Sequence, residues 1–362
     1  MKQINILITG VGAPGTWGTL TSLQGASNYD ITLNFIGTDI QKDPIGKYWS
    51  HKFYQLPSPD DKTYINKLKK ILIDEKIHIL LPQTTNELFA ISKYKKDLEK
   101  TGTLVLCSDH TAITNSNNKL NLLEINSSLD LPTPTFLKFG SLKEFDSLLS
   151  QFNYPKNNVV IKPAVSNGMR GVRILSENID EFDIYLNQKP THLYTTANYM
   201  KHILKSTDQF PPLILMEYLP GQEYTVDAYR DKKTIIAIPR KRIHVRSGIS
   251  FETEIDTRTD IINISNRLAN QLDLNHCFGF QFKLNKNKEP MLLECNPRIQ
   301  GTMVASAVAG CNIILKSVLN ALNINHDSIN KDSLCHGAIY KRYWGGIGII
   351  KGEVVNETIN LP

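Results

Sequence analysis

The sequence lacks any pairing of cysteines. Its five cysteines lie far apart, with no Cys-x-x-Cys pair and no histidine at zinc-ligand spacing: Cys107, Cys277, Cys295, Cys311 and Cys335. A disulfide framework or a structural zinc site needs such ligands in short, patterned groups. The sequence therefore predicts neither kind of site, and we expect all five thiols to be buried and reduced.

Long apolar segments are missing as well. The largely apolar stretch at residues 4–8 is much shorter than the apolar core of a signal peptide and leads directly into a glycine turn. No later stretch has the length of a membrane-spanning segment. These absences predict a cytoplasmic protein without a membrane partner.

Dense runs of one charge are also absent. The chain has 41 basic and 35 acidic residues, and the resulting net charge of +6 is spread along its length. Nucleic-acid-binding proteins concentrate basic residues and interleave them with aromatic ones, so we expect no nucleic-acid partner. The small positive surplus favours anionic small ligands.

What the chain does contain is enough apolar sequence for two or three packed units, with 362 residues of which 41% are hydrophobic. As far as about residue 115, β-rich runs alternate with helical periodicity, which is typical of a parallel α/β sheet with crossover helices. The predicted strands are Ile4–Thr9, Thr32–Gly37, Ile77–Pro82 and Leu104–Ser108, and the predicted helices are Tyr64–Glu75 and Glu87–Leu98.

The regular alternation of predicted strands and helices changes after residue 130. A small α+β unit, small enough to move as a lid, is predicted up to about residue 212. An antiparallel section follows from Leu213, and an amphipathic helix over Thr302–Leu322 closes it. The last forty residues are predicted to form a strand and turns that pack on this section.

The strongest chemical pattern lies in the segment 279–298, which reads as two strands joined by a polar turn. Alternation along a strand puts Glu294 and Asn296 on one face, with Gln281 nearly opposite Glu294. Their carboxylate and amide oxygens suit Mg²⁺ shared with nucleotide phosphates. Arg298 follows at the strand exit, where a guanidinium could clamp a phosphoryl group.

Residues 294–298 read E-C-N-P-R, which resembles the E-x-N-P-R signature of ATP-grasp enzymes. The pattern is most similar to the carbamoyl-phosphate synthetase and biotin carboxylase branch. The resemblance implies Gln281, Glu294 and Asn296 as ligands of two Mg²⁺ ions, or of Mn²⁺, and Arg298 as a catalytic residue. An ordinary surface hairpin is the alternative, but apolar residues before Glu294 indicate a partly buried strand, where unpaired polar groups are costly.

Upstream segments extend the resemblance over most of the chain. The strand V-I-K-P at residues 160–163 and the glycine loop after it resemble the lid strand and phosphate-covering loop of the family. The resemblance implies that Lys162 contacts the nucleotide, that Lys119 lies near the phosphates, and that backbone N–H groups of the loop cover them. The loop residues concerned are Ser166, Asn167, Gly168 and Gly171. Taken alone, Lys119 reads as a surface lysine and the loop as a hairpin turn.

The run M-E-Y-L-P-G-Q-E at residues 216–223 resembles the hinge between the lid and the large subdomain. The resemblance implies that Glu217, Tyr218 and Leu219 border adenine and that Glu223 binds the ribose hydroxyls. It also implies a fold of mixed α/β and α+β class. A parallel α/β pre-ATP-grasp domain over 1–115 precedes an ATP-grasp domain over 116–330, with its lid at about 135–212 and a C-terminal segment at 331–362.

The glycine loop after the first strand carries a competing signal. Residues 10–15 form a literal G-x-G-x-x-G, and Asp39 ends the second strand at the distance that a dinucleotide ribose needs. This pattern favours an NAD-dependent oxidoreductase, which however leaves Glu294 and the hinge unexplained. We therefore assign Gly12 and Gly15 to a helix N-terminus that holds the anionic group of a second substrate.

A basic strand lies between the hinge and the Glu294 hairpin. Strict alternation would place four of its side chains on one face: Arg240, Arg242, His244 and Arg246. A solvated edge strand is one interpretation, but its position favours binding of an anionic substrate. Arg246, which precedes the flexible pair Ser247-Gly248, is our choice for the main substrate contact and a catalytic role.

Together these patterns predict an ADP-producing ATP-grasp ligase that forms a C–N bond. A substrate carboxylate would be phosphorylated by Mg-ATP and the acyl phosphate would then react with an amine. A bicarbonate-using carboxylase or carbamoyl-phosphate-type enzyme is an alternative that the sequence does not separate. The expected partners are small-molecule carboxylates and amines, and a homodimer is compatible with the sequence.

Overall fold

The structure is a computed structural model that describes residues 2–166, 168–187, 193–246, 248–343, 345–350 and 353–355. Two residues named above, Asn167 and Ser247, lie outside the described residues, as do several residues of the C-terminal segment. Within those ranges, no helix combines the length and apolar character needed to cross a membrane.

The N-terminal part is a five-stranded parallel sheet in the order β3-β2-β1-β4-β5, as the alternating pattern predicts. Its strands are β1 Lys2–Thr9, β2 Ile31–Asp39, β3 Lys52–Gln55, β4 Ile79–Leu81 and β5 Leu104–Val105. The helices are α1 Thr16–Leu23, α2 Tyr64–Asp74, α3 Thr85–Lys93, α4 Lys95–Glu99, α5 His110–Asn117 and α6 Lys119–Ser128. The single helix predicted over Glu87–Leu98 is wrong, because the chain bends at Tyr94 between α3 and α4.

A second sheet has the order β6-β10-β7-β8-β9. Its strands are β6 Phe136–Phe139, β7 Val159–Pro163, β8 Arg173–Leu175, β9 Tyr194–Thr195 and β10 Leu213–Glu217. Three helices accompany it: α7 Leu142–Gln151, α8 Glu181–Asn187 and α9 Ala197–Leu204. The aromatic side chains of Phe139 and Phe145 form part of a separate small core, with ring centroids 5.6 Å apart.

The third sheet has six antiparallel strands in the order β15-β14-β11-β12-β13-β16. They are β11 Glu223–Arg230, β12 Ile235–Arg246, β13 Ile249–Ile255, β14 His276–Leu284, β15 Pro290–Asn296 and β16 Ile339–Lys341. The helices are α10 Thr259–Gln271, α11 Val304–Val308 and α12 Ile313–Ala321, and a short pair β17 Gly348–Ile350 and β18 Glu353–Val355 follows. Strand β16 brings the last part of the chain to the edge of this sheet.

The long helix predicted over Thr302–Leu322 is also wrong. Two helices, α11 and α12, replace it, because Gly310 adopts a φ of +101° that ends the first helix. Val308, which an amphipathic helix over Thr302–Leu322 would bury with its other apolar residues, is 60% exposed. The prediction for the cysteines holds for four of the five, since Cys335 is exposed.

The first and third sheets share one core. Ile4, Ile6 and Ile8 point from one face of β1 into a cluster that includes Tyr229 and Ile238 of the third sheet. Leu7 points to the opposite face, toward the α2 side chains. Burial of this shared apolar surface fixes the N-terminal loops against the large sheet, and so positions the site described next.

Candidate functional site

A cavity of about 750 Å³ is lined by residues of the second and third sheets and by loops at the carboxyl ends of β1 and β4. Most of the predicted site residues line it: Gly15, Lys119, Lys162, Ser166, Gly168, Tyr218, Leu219, Glu223, Arg240, Arg242, Gln281, Glu294, Asn296 and Arg298. Five described candidates are not among its lining residues: Gly12, Gly171, Glu217, His244 and Arg246.

The hairpin of β14 and β15 carries the predicted metal-binding face. Gln281 pairs with Glu294 across the hairpin, as the turn position predicts, and a bulge follows in which Leu293 is the extra residue. Asn296 Nδ2 donates to Glu294 Oε1 at 3.3 Å, so both side chains lie on one face. Carboxylate and amide groups therefore converge on the cavity.

Two buried lysines face this hairpin. Lys119 begins α6 because the Asn118 side chain caps the helix by accepting from two backbone N–H groups. Its Nζ lies 3.6 Å from Glu294 Oε2 and donates to the Ser166 carbonyl at 2.6 Å. Lys162, on β7, donates to the Leu293 carbonyl at 3.3 Å.

The surroundings of Lys162 destabilise its charged form. Burial, together with the positive charge of Lys119, lowers the pKa of Lys162 to about 8, and Glu294 offsets only part of that effect. The nearby Arg298 adds a third cation, whose pKa burial also lowers. Three cations beside one carboxylate leave a local excess of positive charge, which favours a polyanionic ligand.

Arg298 connects this cluster to the N-terminal sheet. Its Nη2 donates to Asn296 Oδ1 at 3.3 Å, and its Nε donates to Thr85 Oγ1 at 3.2 Å at the start of α3. The guanidinium is thereby fixed at the meeting point of two sheets, where it can contact groups from either end of the cavity.

The hinge segment begins at Glu217, the last residue of β10, and its side chains have different roles. The Glu217 carboxylate accepts from the Thr135 N–H at 2.8 Å, and the Glu217 N–H donates to the Thr135 carbonyl, so this side chain anchors the second sheet. Tyr218 and Leu219 line the cavity beside it. Glu223 at the start of β11 accepts from Arg242 Nη1, which also donates to Gln281 Oε1 at 3.2 Å.

The prediction that four basic side chains of β12 share one face is wrong. Register shifts on both sides of His244 break the alternation, so that Val245 lines the cavity while His244 and Arg246 are exposed. The Arg246 guanidinium instead lies over the Phe251 ring, 5.1 Å from its centroid.

The two remaining arginines of β12 line the cavity but have extensive protein contacts. Arg240 forms a buried ion pair with Asp227 at 2.9 Å and also donates to Thr302 Oγ1. Arg242 additionally donates to Ser250 Oγ and to the Gly248 carbonyl. These contacts make Arg240 and Arg242 parts of the cavity wall.

The Asp39 side chain holds the glycine loop in place. One Asp39 oxygen accepts from the Gly12 N–H at 2.7 Å and the other accepts from the Gln41 N–H at 2.9 Å. Asp39 thus binds backbone N–H groups of the glycine loop and of the turn after β2, a structural role that accounts for this acid without a dinucleotide. Farther along the loop, Gly15 lines the cavity and lies against Gly301, where a Cβ added to Gly15 would come within 2.7 Å of Gly301 Cα.

Arg342 is a cavity residue that sequence reasoning missed. It follows β16, and it donates through Nη1 to the Pro14 carbonyl at 3.2 Å and through Nη2 to the Gly301 carbonyl. No local motif marks it, and the basic pair Lys341-Arg342 in an otherwise unassigned segment is the one available signal. Its position depends on the pairing of β16 with β13.

The donor set fits Mg²⁺ that is shared with a polyphosphate. Among the described residues, no group of three His, Cys, Asp or Glu side chains could hold a metal alone. Glu294 and Asn296 offer hard oxygen ligands on one face, and Gln281 could join them if Arg242 releases its Oε1. Magnesium usually binds to one or two carboxylates together with substrate phosphates. The few protein ligands here would likewise need phosphate oxygens to complete the coordination of the ion.

Comparison with known proteins agrees with this geometry. Residues 209–335 match the model of a family described as ATP-grasp in the biosynthetic pathway with Ter operon. The carbamoyl phosphate synthase large chain of Pyrococcus furiosus is 23% identical over 60% of this chain and 20% of its own length. The phosphoribosylamine–glycine ligase of Methanosphaera stadtmanae is 20% identical over 65% of this chain and 48% of its own length. The matches thus span less than half of either relative.

A solved structure extends the likeness to nearly the whole chain. The biotin carboxylase domain dimer of the Hydrogenobacter thermophilus 2-oxoglutarate carboxylase was solved with MgADP, ADP and bicarbonate. It superposes with a TM-score of 0.68 at 13% identity, covering 92% of this chain and 73% of the other. The family model matched by residues 209–335, the shared fold and the E-x-N-P-R hairpin together support membership of the ATP-grasp superfamily.

Proposed function

We propose that the protein is an ATP-dependent ligase that activates a carboxylate by phosphorylation and couples it to an amine. The observation that carries the proposal is the cluster of Lys119, Lys162 and Arg298 around Glu294 and Asn296 in one cavity. Three cations beside a single carboxylate favour a triphosphate with bound metal over a neutral or cationic ligand.

In this proposal the cavity holds the nucleotide between the second and third sheets. Tyr218 and Leu219 border the adenine, Glu223 accepts from the ribose, and the two lysines bind the phosphates. Magnesium, held by Glu294 and Asn296, would neutralise charge on the phosphates and polarise the transferred phosphoryl group. The loop that contains Ser166 and Gly168 covers this end and excludes water.

The first chemical step transfers the γ-phosphoryl group to a carboxylate oxygen. A new P–O bond forms on the carboxylate while the bond between γ-phosphorus and the bridging oxygen breaks, and ADP leaves. Arg298 is placed to stabilise the negative charge on the transferred group. In the second step an amine nitrogen attacks the acyl carbon, loses a proton and displaces phosphate.

Bicarbonate is the second candidate for the acid. Its support is that the chain resembles both a carbamoyl phosphate synthase and a carboxylase domain solved with bicarbonate. The relative whose name includes glycine ligase supports the carboxylate–amine reaction. Both reactions use the same nucleotide end of the cavity and differ in what occupies the rest of it.

The test is ADP release measured with Mg-ATP across a panel of amino acids, small carboxylates and bicarbonate, each with and without an added amine. We expect ADP release to depend on one acid of the panel and an amide product to be found by mass spectrometry. ADP release with bicarbonate alone would support the second candidate. Saturable ATP binding with no ADP release under any condition would contradict both.

A further inference from the structure

Helix α8 presents an apolar stripe to solvent. Phe182, Tyr185 and Leu186 follow the spacing i, i+3, i+4, so their side chains lie on one side of the helix. They are 71%, 81% and 64% exposed, and α8 has no buried residue. An amphipathic helix normally turns such a stripe toward the protein core. Within the described residues, the apolar side of α8 therefore has no covering element.

Helix α9 carries a second exposed stripe on the same part of the protein. Tyr199 and Ile203, which are four positions apart, are 51% and 37% exposed, and the His202 ring lies beside Tyr199. The opposite side of the helix packs into the small core of the second sheet through Met200 and Leu204. One side thus fixes α9 in place, while the other side remains available for a contact.

The two helices begin close together. Glu177, which precedes α8, accepts from the Tyr154 hydroxyl and, at 3.4 Å, from the N–H of Ala197, the first residue of α9. The two stripes therefore belong to one region of the surface, and neighbouring exposed apolar residues of this kind mark contact sites between proteins. We call this region the helical face and define it by its apolar residues: Phe182, Tyr185, Leu186, Tyr199 and Ile203.

The charges on the two helices are of opposite sign. The first turn of α8 is acidic, with Glu181 and Asp183, whereas the last turn of α9 is basic and is followed by Lys205. Lys201 of that turn already pairs with Asp146, but Lys205 is exposed. An antiparallel pair of α8 and α9 helices would place the acidic end of one beside the basic end of the other, which favours their association.

We infer that the helical face is the contact surface of a homodimer, in which α8 of each copy lies antiparallel to α9 of the other. Both members of the complementary pair are present on one chain, so a twofold axis forms two equivalent contacts at once, as an isologous interface requires. This reciprocity is the reason for choosing a second copy of the chain as the partner. The inference concerns assembly and does not depend on the proposed ligase function.

The first test is sedimentation velocity of the full chain over a dilution series, in which we expect a reversible equilibrium of monomer and dimer. Phe182→Ser and Tyr185→Ser should each raise the dissociation constant of the dimer at least about tenfold, because each change removes apolar burial at both contacts. Ile73→Ser on α2, where the side chain is 56% exposed, is the control and should leave it within about twofold. Circular dichroism verifies that each variant is folded.

Charge reversal tests which helices meet. At low ionic strength, Glu181→Lys alone and Lys205→Glu alone should each raise the dissociation constant at least about tenfold, because like charges then face each other at both contacts. An equimolar mixture of these two variants should dimerise as the wild type does, since each reversed side chain then faces one of opposite charge. Glu99→Lys on α4, an exposed position, is the control for net charge.

A protein that sediments as a monomer at every concentration would overturn the inference. So would a dimer whose dissociation constant is the same in the wild type and in the Phe182→Ser and Tyr185→Ser variants. A mixture of the two charge variants that associates no better than either variant alone would also overturn it, because α8 would then not lie against α9 of the second copy. A failure of the ligase proposal would be seen separately, as absent ADP release.

Discussion

Lys119 Nζ and Glu294 Oε2 lie 3.6 Å apart across the cavity, although the two residues are 175 positions apart in the sequence. One comes from the first residue of a capped helix and the other from a strand hairpin. Because Lys162 and Arg298 add two further cations nearby, this pair is the centre of a positive cluster rather than an isolated ion pair.

Loss of the Glu294 charge tests the metal assignment. We expect Glu294→Gln to lower ATP turnover by at least about a hundredfold, because the phosphoryl group would lose the ion that neutralises its charge. Folding should persist, since Glu294 lies partly exposed at the cavity. ADP production and circular dichroism are the measurements. Glu254→Gln, which removes a similar carboxylate paired with Lys241 outside the cavity, should keep full activity.

The contacts of Asp39 with the glycine loop lead to a prediction about dinucleotide binding. Since both Asp39 oxygens hold backbone N–H groups, titration with NAD or NADP should give no saturable signal. Mg-ATP should raise the melting temperature, because a ligand that binds only the folded state stabilises it. Tight NAD binding that Asp39→Ala abolishes would reverse this ranking of ligands.

The lowered pKa of Lys162 predicts that ATP binding takes up protons. Above pH 8 the free protein holds Lys162 largely neutral, whereas bound phosphates favour its protonated form and raise its pKa. ATP affinity should therefore decrease as pH rises above about 8. Calorimetry at pH 8.5 in two buffers of different ionisation enthalpy measures the uptake, which Lys162→Met should remove.

A surface lysine provides the comparison for that experiment. Lys69→Met removes a partly exposed charge that is paired with Asp97 far from the cavity, and we expect proton uptake equal to that of the wild type. If Lys162→Met and wild type show the same uptake, another group is titrating and the assignment of Lys162 to the phosphates is wrong.

The two arginines at either side of the bulge in β12 should behave differently. Arg242→Lys should raise the KM for ATP at least about tenfold, because a single ammonium group cannot replace the bonds to Glu223 and Gln281. Arg246→Lys should leave the KM values of both ATP and the carboxylate within about twofold, as exposed substitutions usually do. Steady-state kinetics would show whether Arg246 contacts substrate after all, through a rise in the carboxylate KM alone.

The parts of this site that local sequence determines were predictable. Alternation and turn position gave the pairing of Gln281 with Glu294, since both depend on a few neighbouring residues. The bulges that turn Arg246 outward were not predictable, because they arise from pairing with β13. The position of Arg342 in the cavity was not predicted for the same reason, because it depends on the pairing of β16 with the edge of the third sheet.

The helix break at Gly310 shows the same limit for the fold. The spacing of apolar residues over Thr302–Leu322 is compatible with one long helix. Such a pattern contains no information about the close approach of Gly310 to Ser333. A Cβ at Gly310 would lie 2.4 Å from the Ser333 carbonyl oxygen, so the close approach of a distant segment requires glycine at this turn.

The contact between Gly15 and Gly301 joins two halves of the chain that could be exchanged between relatives. A hybrid that takes residues 1–115 from one protein and the remainder from another would need a residue without a side chain at the Gly15 position. A methyl group there would meet the Gly301 Cα at 2.7 Å. Such hybrids therefore require a close backbone approach at this position as well as a match in the core that the first and third sheets share, and the glycine requirement can be checked in the sequence before any gene is built.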